Sequence, residues 1–160
     1  MRLSPHFSLA EFTASQTSDR LGLDNDLPAE LLANARATCE MLERIRSYLT
    51  GKVGALHGTP IFITSGYRSP AVNRAVGSGP TSDHLKALAV DWHCPMVGRP
   101  TEVCKLLEPV VDQLGIGQLI NEFPSTSGGW IHVSTRTPAK AVNRVITITK
   151  AGTFPGIREA

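Results

Sequence analysis

The first periodic pattern of hydrophobic and polar positions covers residues 28–50 and has the spacing of a helix. Charged residues lie mostly between the hydrophobic ones, which recur near helical spacing at Leu31, Ala35, Leu42, Ile45 and Leu49. Pro28 can open a helix, because its missing amide hydrogen would be unpaired in the first turn. The pattern therefore predicts an amphipathic helix over residues 28–50 that ends at Gly51. The first 26 residues predict a short helix followed by a polar loop.

Short runs of β-branched and apolar residues predict the strands. They are expected at residues 60–64, 87–92, 118–123, 130–134 and 142–149. Ser69 and Pro70 predict the start of a short helix over residues 70–76, and Pro100 starts another that runs to about Leu114. Strands interrupted by helices, followed by segments that resemble antiparallel hairpins, favour an α+β fold. We predict a single domain over residues 1–160, with helices packed on a small antiparallel sheet.

Charge and hydropathy argue against two classes of partner. The 160 residues include 16 Lys and Arg and 14 Asp and Glu, a net charge of +2. This balance does not supply the dense cationic surface that binds nucleic acid. No run approaches the roughly 18 apolar residues of a membrane span, and the N-terminus lacks a signal-peptide pattern. We expect a monomer with no nucleic-acid partner, no membrane insertion and no signal peptide.

Cysteine and histidine are the next residues with possible chemistry. None of the cysteines forms a CxxC pair that would indicate zinc or redox chemistry, and we expect all of them to be small buried residues. They are Cys39, Cys94 and Cys104. Composition alone does not say which histidine binds a metal. The histidines are His6, His57, His84, His93 and His132.

Two histidines and one aspartate occur in contexts that suggest a shared site. His84 lies in a Gly/Pro/Ser loop, Asp91 follows seven residues later in an apolar strand, and His132 lies inside another. An aspartate in a buried strand is costly unless it is paired or binds a metal. Two histidines and a carboxylate leave a fourth position for water, as in catalytic zinc sites. The same spacing also suits a hydrogen-bonded His–Asp pair, so the residues alone leave both interpretations open.

Three separated blocks of the chain resemble the signature of the zinc D-alanyl-D-alanine carboxypeptidases. They are TSGYRS at residues 64–69, Ser-x-His-x6-Asp at residues 82–91 and WIHV at residues 130–133. The wider superfamily includes lysostaphin-type endopeptidases and the hedgehog signalling domain. The segment SPHFSLAEF at residues 4–12 is typical of a phage-associated branch. The resemblance implies an α+β peptidase of peptidoglycan in which His84, Asp91 and His132 bind one zinc ion.

The resemblance also implies roles for residues around these ligands. Arg68 would bind the terminal carboxylate of the substrate, for which a planar guanidinium is well suited. Ser82 would donate a hydrogen bond to the same carboxylate, although it could instead only cap its loop. Tyr67 and Trp130 are expected to pack or to line the cleft.

His93 is a candidate for a supporting role at the metal. It follows Asp91 by two residues, so the two side chains share one face of an extended strand. It could approach the metal or hold a ligand in place. The alternative is a partly buried, hydrogen-bonded histidine without a function at the site.

The chain departs from the family pattern at two positions. Ala87 stands where relatives usually have glycine, and Gly129 stands where many relatives place the catalytic Glu or Asp. The best candidate for the general base is therefore Glu122, in the strand that leads by a short loop to His132. Whether Glu122 and His132 share a face depends on the hairpin register, which the loop does not determine. The alternatives are Asp83 or no base.

We expect a zinc metallopeptidase of the peptidoglycan stem, in the first place a D-Ala-D-Ala carboxypeptidase. An endopeptidase of the endolysin type is one alternative. A zinc-containing cell-wall-binding or phage structural module without activity is another, and Gly129 keeps it open. The substrate lies outside the cytoplasmic membrane and no export signal is visible, which suggests a phage or prophage product acting on the cell wall.

Overall fold

The computed structural model describes residues 1–159, which are arranged around one six-stranded sheet. The α-helices are α1 (Leu9–Thr13), α2 (Gln16–Leu21), α3 (Leu32–Val53), α4 (Pro70–Ala75), α5 (Pro100–Leu107) and α6 (Val111–Leu114). The strands are β1 (Phe62–Ser65), β2 (Ala89–His93), β3 (Gln118–Glu122), β4 (Trp130–Ser134), β5 (Val145–Thr149) and β6 (Gly152–Pro155). Single 3₁₀ turns occupy Ala29–Leu31, Asp83–Lys86, Glu108–Val110 and Ala141–Asn143.

The sheet is mostly antiparallel, which confirms the predicted α+β class. Its strand order is β1-β2-β4-β3-β5-β6, and every neighbouring pair is antiparallel except β3 and β5. The expectation of antiparallel hairpins throughout the end of the chain is wrong at this pair. Strands β2 and β3 occupy the two sides of β4. After β4 the chain therefore crosses β3, and β5 pairs with the other edge of β3. Strand β6, which the sequence pattern did not predict, forms a hairpin with β5.

One face of the sheet belongs to the hydrophobic core. Its fully buried residues include Val90, Trp92, Leu119, Ile131 and Val133, and on β2 and β4 they alternate with the predicted ligands Asp91 and His132. The same core contains the buried face of α3, with Ala35, Cys39, Leu42, Ile45 and Leu49. Full burial of one large side chain contributes about 1.5–3 kcal/mol to stability. The core therefore holds β2 and β4 rigidly, and these two strands carry Asp91 and His132.

The long helix begins and ends later than the sequence pattern predicts. Pro28 is extended rather than helical, a 3₁₀ turn follows it, and α3 continues through Gly51 to Val53. The helix ends at Gly54, whose φ of 64° gives the left-handed cap that terminates many helices. Gly51 is therefore an interior helical residue, and the prediction that it ends the helix is wrong.

The second predicted helix, over residues 100–114, is divided into three pieces. Helix α5 ends at Leu107, a 3₁₀ turn contains Pro109, and α6 follows. Proline has no amide hydrogen and its ring clashes with the preceding turn, so a regular helix cannot continue through it. The short helix predicted after Ser69 is confirmed, with the Ser69 hydroxyl accepting a hydrogen bond from the Val72 amide at 3.3 Å.

All three cysteines are buried and unbonded to one another, as expected. Across residues 1–159, each helix is either too short or too polar to cross a membrane.

Candidate metal centre

The three predicted ligands converge on the sheet face opposite the core. Asp91 on β2 lies directly across from His132 on β4, so their side chains share a face. His84 reaches the same place from the 3₁₀ turn that precedes β2. The Nδ1 atom of His132 lies 2.8 Å from Oδ1 of Asp91, and Nε2 of His84 lies 3.3 Å from each of these atoms. All three side chains are buried.

The donor atoms of this cluster suit a zinc ion. The Nδ1 atom of His84 donates to the Gly66 carbonyl oxygen at 2.6 Å, so Nε2 is left as the ligand atom. Two imidazole nitrogens and one carboxylate oxygen lie within 4.8 Å of one another. Such a three-residue set leaves a coordination position for water or substrate, as catalytic zinc sites do.

Electrostatics hold the carboxylate of this cluster in its charged form. Burial alone would raise the pKa of Asp91, but the adjacent His84 and the hydrogen bond from His132 outweigh it and lower that pKa strongly. Burial lowers the pKa of His84, which favours the neutral imidazole. For His132, the hydrogen bond to Asp91 outweighs burial and raises the pKa. Asp91 and His84 are therefore in the forms that bind a metal, whereas His132 must release its proton when the metal binds.

Ala87 ends the 3₁₀ turn that carries His84. Its φ of 55° is left-handed, a conformation that glycine adopts more readily than alanine. The Thr38 hydroxyl donates to the Ala87 carbonyl at 2.9 Å and supports this conformation from α3. The family preference for glycine here therefore has a conformational reason. Ala87 belongs to the turn, so the strand predicted over residues 87–92 begins only at Ala89.

Glu122 lies in the same pocket as the three ligands. It is opposite Trp130 in the β3–β4 ladder, and Ile120 is opposite His132, so Glu122 and His132 share a face. Glu122 Oε1 lies 4.0 Å from His132 Nδ1. The pocket has a volume of about 400 Å³ and is lined by Arg68, Val76, Gly77, Ser78, Ser82, His84, Asp91, Glu122, Phe123, Trp130 and His132. Burial, followed by the nearby Asp91 charge, raises the pKa of Glu122 to about 7.

Gly129 approaches the backbone of β3 too closely to carry a side chain. A Cβ atom at this position would lie 2.6 Å from the Phe123 carbonyl oxygen and 2.9 Å from that of Glu122. The carboxylate that many relatives have at this position therefore has no room in this chain. Glu122, on the neighbouring strand β3, supplies a carboxylate that lines the pocket and is not one of the predicted metal ligands.

Asp83, the alternative candidate for the base, is engaged elsewhere. Its carboxylate accepts hydrogen bonds from Ser134 Oγ at 2.8 Å and from Arg136 Nε at 2.5 Å. Asp83 is also not among the residues that line the pocket. It is therefore not free to act as a base.

Arg68 joins the metal cluster to the open pocket. Its Nη2 atom donates to Asp91 Oδ2 at 3.2 Å, and its Nε atom donates to Ser65 Oγ at 3.1 Å. A guanidinium has five N–H groups, so further donors remain for a ligand. The contact between Arg68 and Asp91 could not be predicted from local pattern, because it depends on the β1–β2 pairing, whose register shifts before Ser65. Ser82 lines the same pocket, as its predicted role requires.

The remaining candidates divide between the core, the pocket and a neighbouring cavity. Tyr67 is buried in the core, whereas Trp130 lines the pocket. His93 shares the sheet face of Asp91 but lies two residues further along β2, a distance of about 7 Å. It lines a separate cavity of about 450 Å³. Within residues 1–159, no side-chain hydrogen bond joins His93 to His84, Asp91 or His132, and its supporting role stays a prediction.

Comparison with known proteins agrees with this geometry. The sequence model of the family described as peptidase M15 matches residues 5–134, which include all three ligands, Arg68, Ser82 and Glu122. A search of curated proteins gives no match. The matched region covers most of the chain, which therefore belongs to the peptidase M15 family of zinc-dependent peptidases.

Proposed function

We propose that this zinc-dependent peptidase hydrolyses a peptide bond in the peptidoglycan stem, in the first place as a D-Ala-D-Ala carboxypeptidase. The observation that carries the proposal is one pocket that combines three metal ligands, a carboxylate with a raised pKa and an arginine with free donors. These groups match the needs of peptide hydrolysis next to a free carboxylate.

His84, Asp91 and His132 would hold the zinc ion. When bound, zinc supplies a Lewis acid that polarises a peptide carbonyl and makes water a stronger nucleophile. Two of the ligands are already prepared for metal binding, because Asp91 is charged and the Gly66 carbonyl orients the His84 ring.

Glu122 would transfer the proton. It would accept a proton from the attacking water and deliver it to the nitrogen of the leaving amine. A carboxyl whose pKa is near 7 can do both steps at neutral pH. This arrangement favours an enzyme over a binding module, because a module that only holds the peptide needs no such carboxylate.

Arg68 and Ser82 would select the substrate. The guanidinium donors that do not bind Asp91 or Ser65 can form paired hydrogen bonds with a carboxylate. Ser82 lines the same pocket and adds a hydroxyl donor. A substrate with a free carboxylate beside the cleaved bond satisfies both residues, as the terminal D-alanine does. The α-carboxylate of D-glutamate would also satisfy them, which is the basis of the endopeptidase alternative.

The decisive experiment is hydrolysis of purified muropeptides, followed by mass spectrometry. We expect loss of one terminal D-alanine by the wild type and removal of this activity by zinc chelation. The Glu122→Gln variant should retain one equivalent of zinc and lose activity about 100-fold or more. Glu102→Gln, an exposed glutamate outside the pocket, is the control and should remain active. Full activity in Glu122→Gln would remove the assigned base.

Amidated substrates separate the two peptidase alternatives. A carboxypeptidase that uses Arg68 should cleave a stem peptide ending in D-Ala-D-Ala much faster than the same peptide with a C-terminal amide. Equal cleavage of both, or a cut inside the stem, would favour the endopeptidase. No cleavage of any muropeptide by zinc-loaded protein would favour the binding module.

We further propose a phage or prophage origin and a monomeric protein that acts on the cell wall from outside the cytoplasmic membrane. The substrate location and the SPHFSLAEF segment support this proposal. Fractionation of producing cells and size-exclusion chromatography would test it. Protein confined to the cytosol of intact cells, without neighbouring phage genes, would contradict it.

A further inference from the structure

A second polar cluster, in which two of the three side chains are buried, lies next to the metal ligands in the chain. It consists of Asp83, Ser134 and Arg136, and we call it the Asp83 clamp. Asp83 precedes His84, and Ser134 follows His132 by two residues on the same face of β4. Asp83 accepts hydrogen bonds from the Ser134 hydroxyl and from Arg136 Nε. The Ser134 hydroxyl also accepts one from the Arg136 amide at 3.1 Å, which closes the cluster.

The three ligands are not held in position in the same way. Asp91 and His132 are neighbours in the β2–β4 ladder, whose backbone hydrogen bonds set their separation. His84 lies outside the sheet on a single 3₁₀ turn, which has few internal hydrogen bonds. Its position relative to His132 therefore depends on contacts made by its own turn. The Asp83 clamp connects that turn directly to the strand that carries His132.

The chemistry of the clamp suits a positioning role. Asp83 is only 7% exposed, so its carboxylate needs partners that compensate for lost hydration. Hydrogen bonds to a charged carboxylate are stronger and more directional than neutral ones. The Arg136 guanidinium is half-exposed, however, and an ion pair with an exposed partner adds little net stability, because water screens its attraction. The geometry that such a pair imposes is then its main contribution.

We propose that the Asp83 clamp is a positioning device, which holds His84 Nε2 at the correct distance from His132 Nδ1 and so determines zinc affinity. This inference rests on the metal centre of the proposed function. The clamp touches neither substrate nor reacting atoms, so it acts through His84.

Zinc affinity measured by chelator competition tests the clamp. Ser134→Ala removes one bond to Asp83 and leaves the one from Arg136, and we expect its zinc dissociation constant to rise about 10-fold or more. Asp83→Asn removes the charge and should have a larger effect. If Asp83→Asn does not fold, Ser134→Ala alone decides the result. Cobalt substituted for zinc gives a second readout, because a displaced His84 should change its visible absorption spectrum.

Thr147→Val is the matched control. The Thr147 hydroxyl on β5 is also fully buried, donates to the Gly156 carbonyl at 2.8 Å and accepts from the Arg158 amide at 2.9 Å. Its loss should lower the melting temperature much as Ser134→Ala does, but leave zinc affinity unchanged. Equal loss of affinity in both variants would show a general effect of stability and overturn the clamp.

The outcomes separate the clamp from the proposed function. Wild-type protein that binds one zinc, together with unchanged affinity in folded Ser134→Ala, would overturn the clamp alone. Weakened zinc binding in the clamp variants, with no hydrolysis of muropeptides by the wild type, would support the clamp and contradict the proposed function. A wild type that binds no zinc would overturn both.

Discussion

At the scale of single residues, Gly129 determines which carboxylate can serve the pocket. The backbone of β4 begins immediately after it, and the carbonyl groups of Glu122 and Phe123 lie where its Cβ would be. Phe123 itself has a left-handed φ of 51°, which turns the chain sharply after β3. This tight hairpin entry leaves no space at residue 129 and presents Glu122 on the face of His132. The same backbone geometry thus excludes a carboxylate at residue 129 and places the Glu122 carboxylate in the pocket.

Gly129→Ala should destabilise the protein and reduce activity. A methyl group would push against two backbone carbonyls, and overpacking of this kind costs about 1–3 kcal/mol. For a chain of this length, the melting temperature should fall by about 2–4 °C per kcal/mol. Gly128→Ala is the control, because nothing lies within 4 Å of a Cβ at that position. Thermal unfolding of both variants checks the prediction, and equal melting temperatures would contradict it.

A carboxylate at residue 129 should not replace Glu122. We expect the double variant Glu122→Gln/Gly129→Glu to be as inactive as Glu122→Gln alone, because the longer side chain cannot enter the site without moving β3. The measurement is muropeptide hydrolysis under identical zinc loading. Recovered activity would show that the loop adapts, and that Gly129 does not exclude the family position.

At the scale of elements, α3 shows how a helix end depends on backbone conformation more than on residue type. Gly51 and Gly54 are the same residue three positions apart, yet only Gly54 has a positive φ. Both have open space around a Cβ atom. Their difference is therefore conformational, and a single substitution should have opposite effects at the two sites.

Gly51→Ala should stabilise the protein and Gly54→Ala should destabilise it. Alanine is favoured over glycine in a helix interior by about 0.5–1 kcal/mol. In the left-handed region, alanine is disfavoured by about 1–2 kcal/mol. Urea unfolding followed by circular dichroism measures both changes, with each variant serving as the control for the other. A shift of the same sign in both would contradict the assigned end of α3.

At the scale of the whole molecule, two core side chains and one glutamate attach the N-terminal segment to the domain. Leu3 and Phe7 enter the core, and Glu43 on α3 binds the segment between them. The Glu43 carboxylate accepts hydrogen bonds at 2.7 Å from the Ser4 hydroxyl and the His6 amide, and its second oxygen lies 2.8 Å from His6 Nδ1. Partial burial alone would raise the pKa of Glu43, but these hydrogen bonds outweigh it and lower that pKa.

The stabilisation by Glu43 should disappear in acid. Because its pKa is lower in the folded than in the unfolded protein, the contribution is complete above the unfolded pKa of about 4.3 and is lost as the pH falls through the folded value. The melting temperature of Glu43→Gln should therefore lie below that of the wild type at pH 6 and approach it near pH 3. Glu40→Gln, an exposed glutamate on the same helix, should show no such difference at either pH. A difference that grows in acid would contradict this account.

Features that depend on short-range pattern could be predicted from the amino-acid sequence. These features include the periodicity of α3, the helix start at Ser69–Pro70 and the α+β class. They also include the separated blocks around Arg68, His84, Asp91 and His132. The helix, its counterpart at Ser69–Pro70 and the fold class follow from side-chain polarity and backbone preference, whereas the blocks are identified by their resemblance to the family. The structure brings the three ligands together, as the resemblance to the zinc peptidases implies.

Features that depend on strand register and on close approach of the backbone are fixed by the folded structure. It placed Glu122 on the face of His132, excluded a side chain at Gly129, paired Arg68 with Asp91 and put β5 parallel to β3. A shift of one residue in a strand pair would reverse which side chains meet, and no local pattern encodes that shift. Packing of the whole core selects one register. The positions of Glu122 and of the contacts around the metal ligands are therefore determined only in the complete sheet.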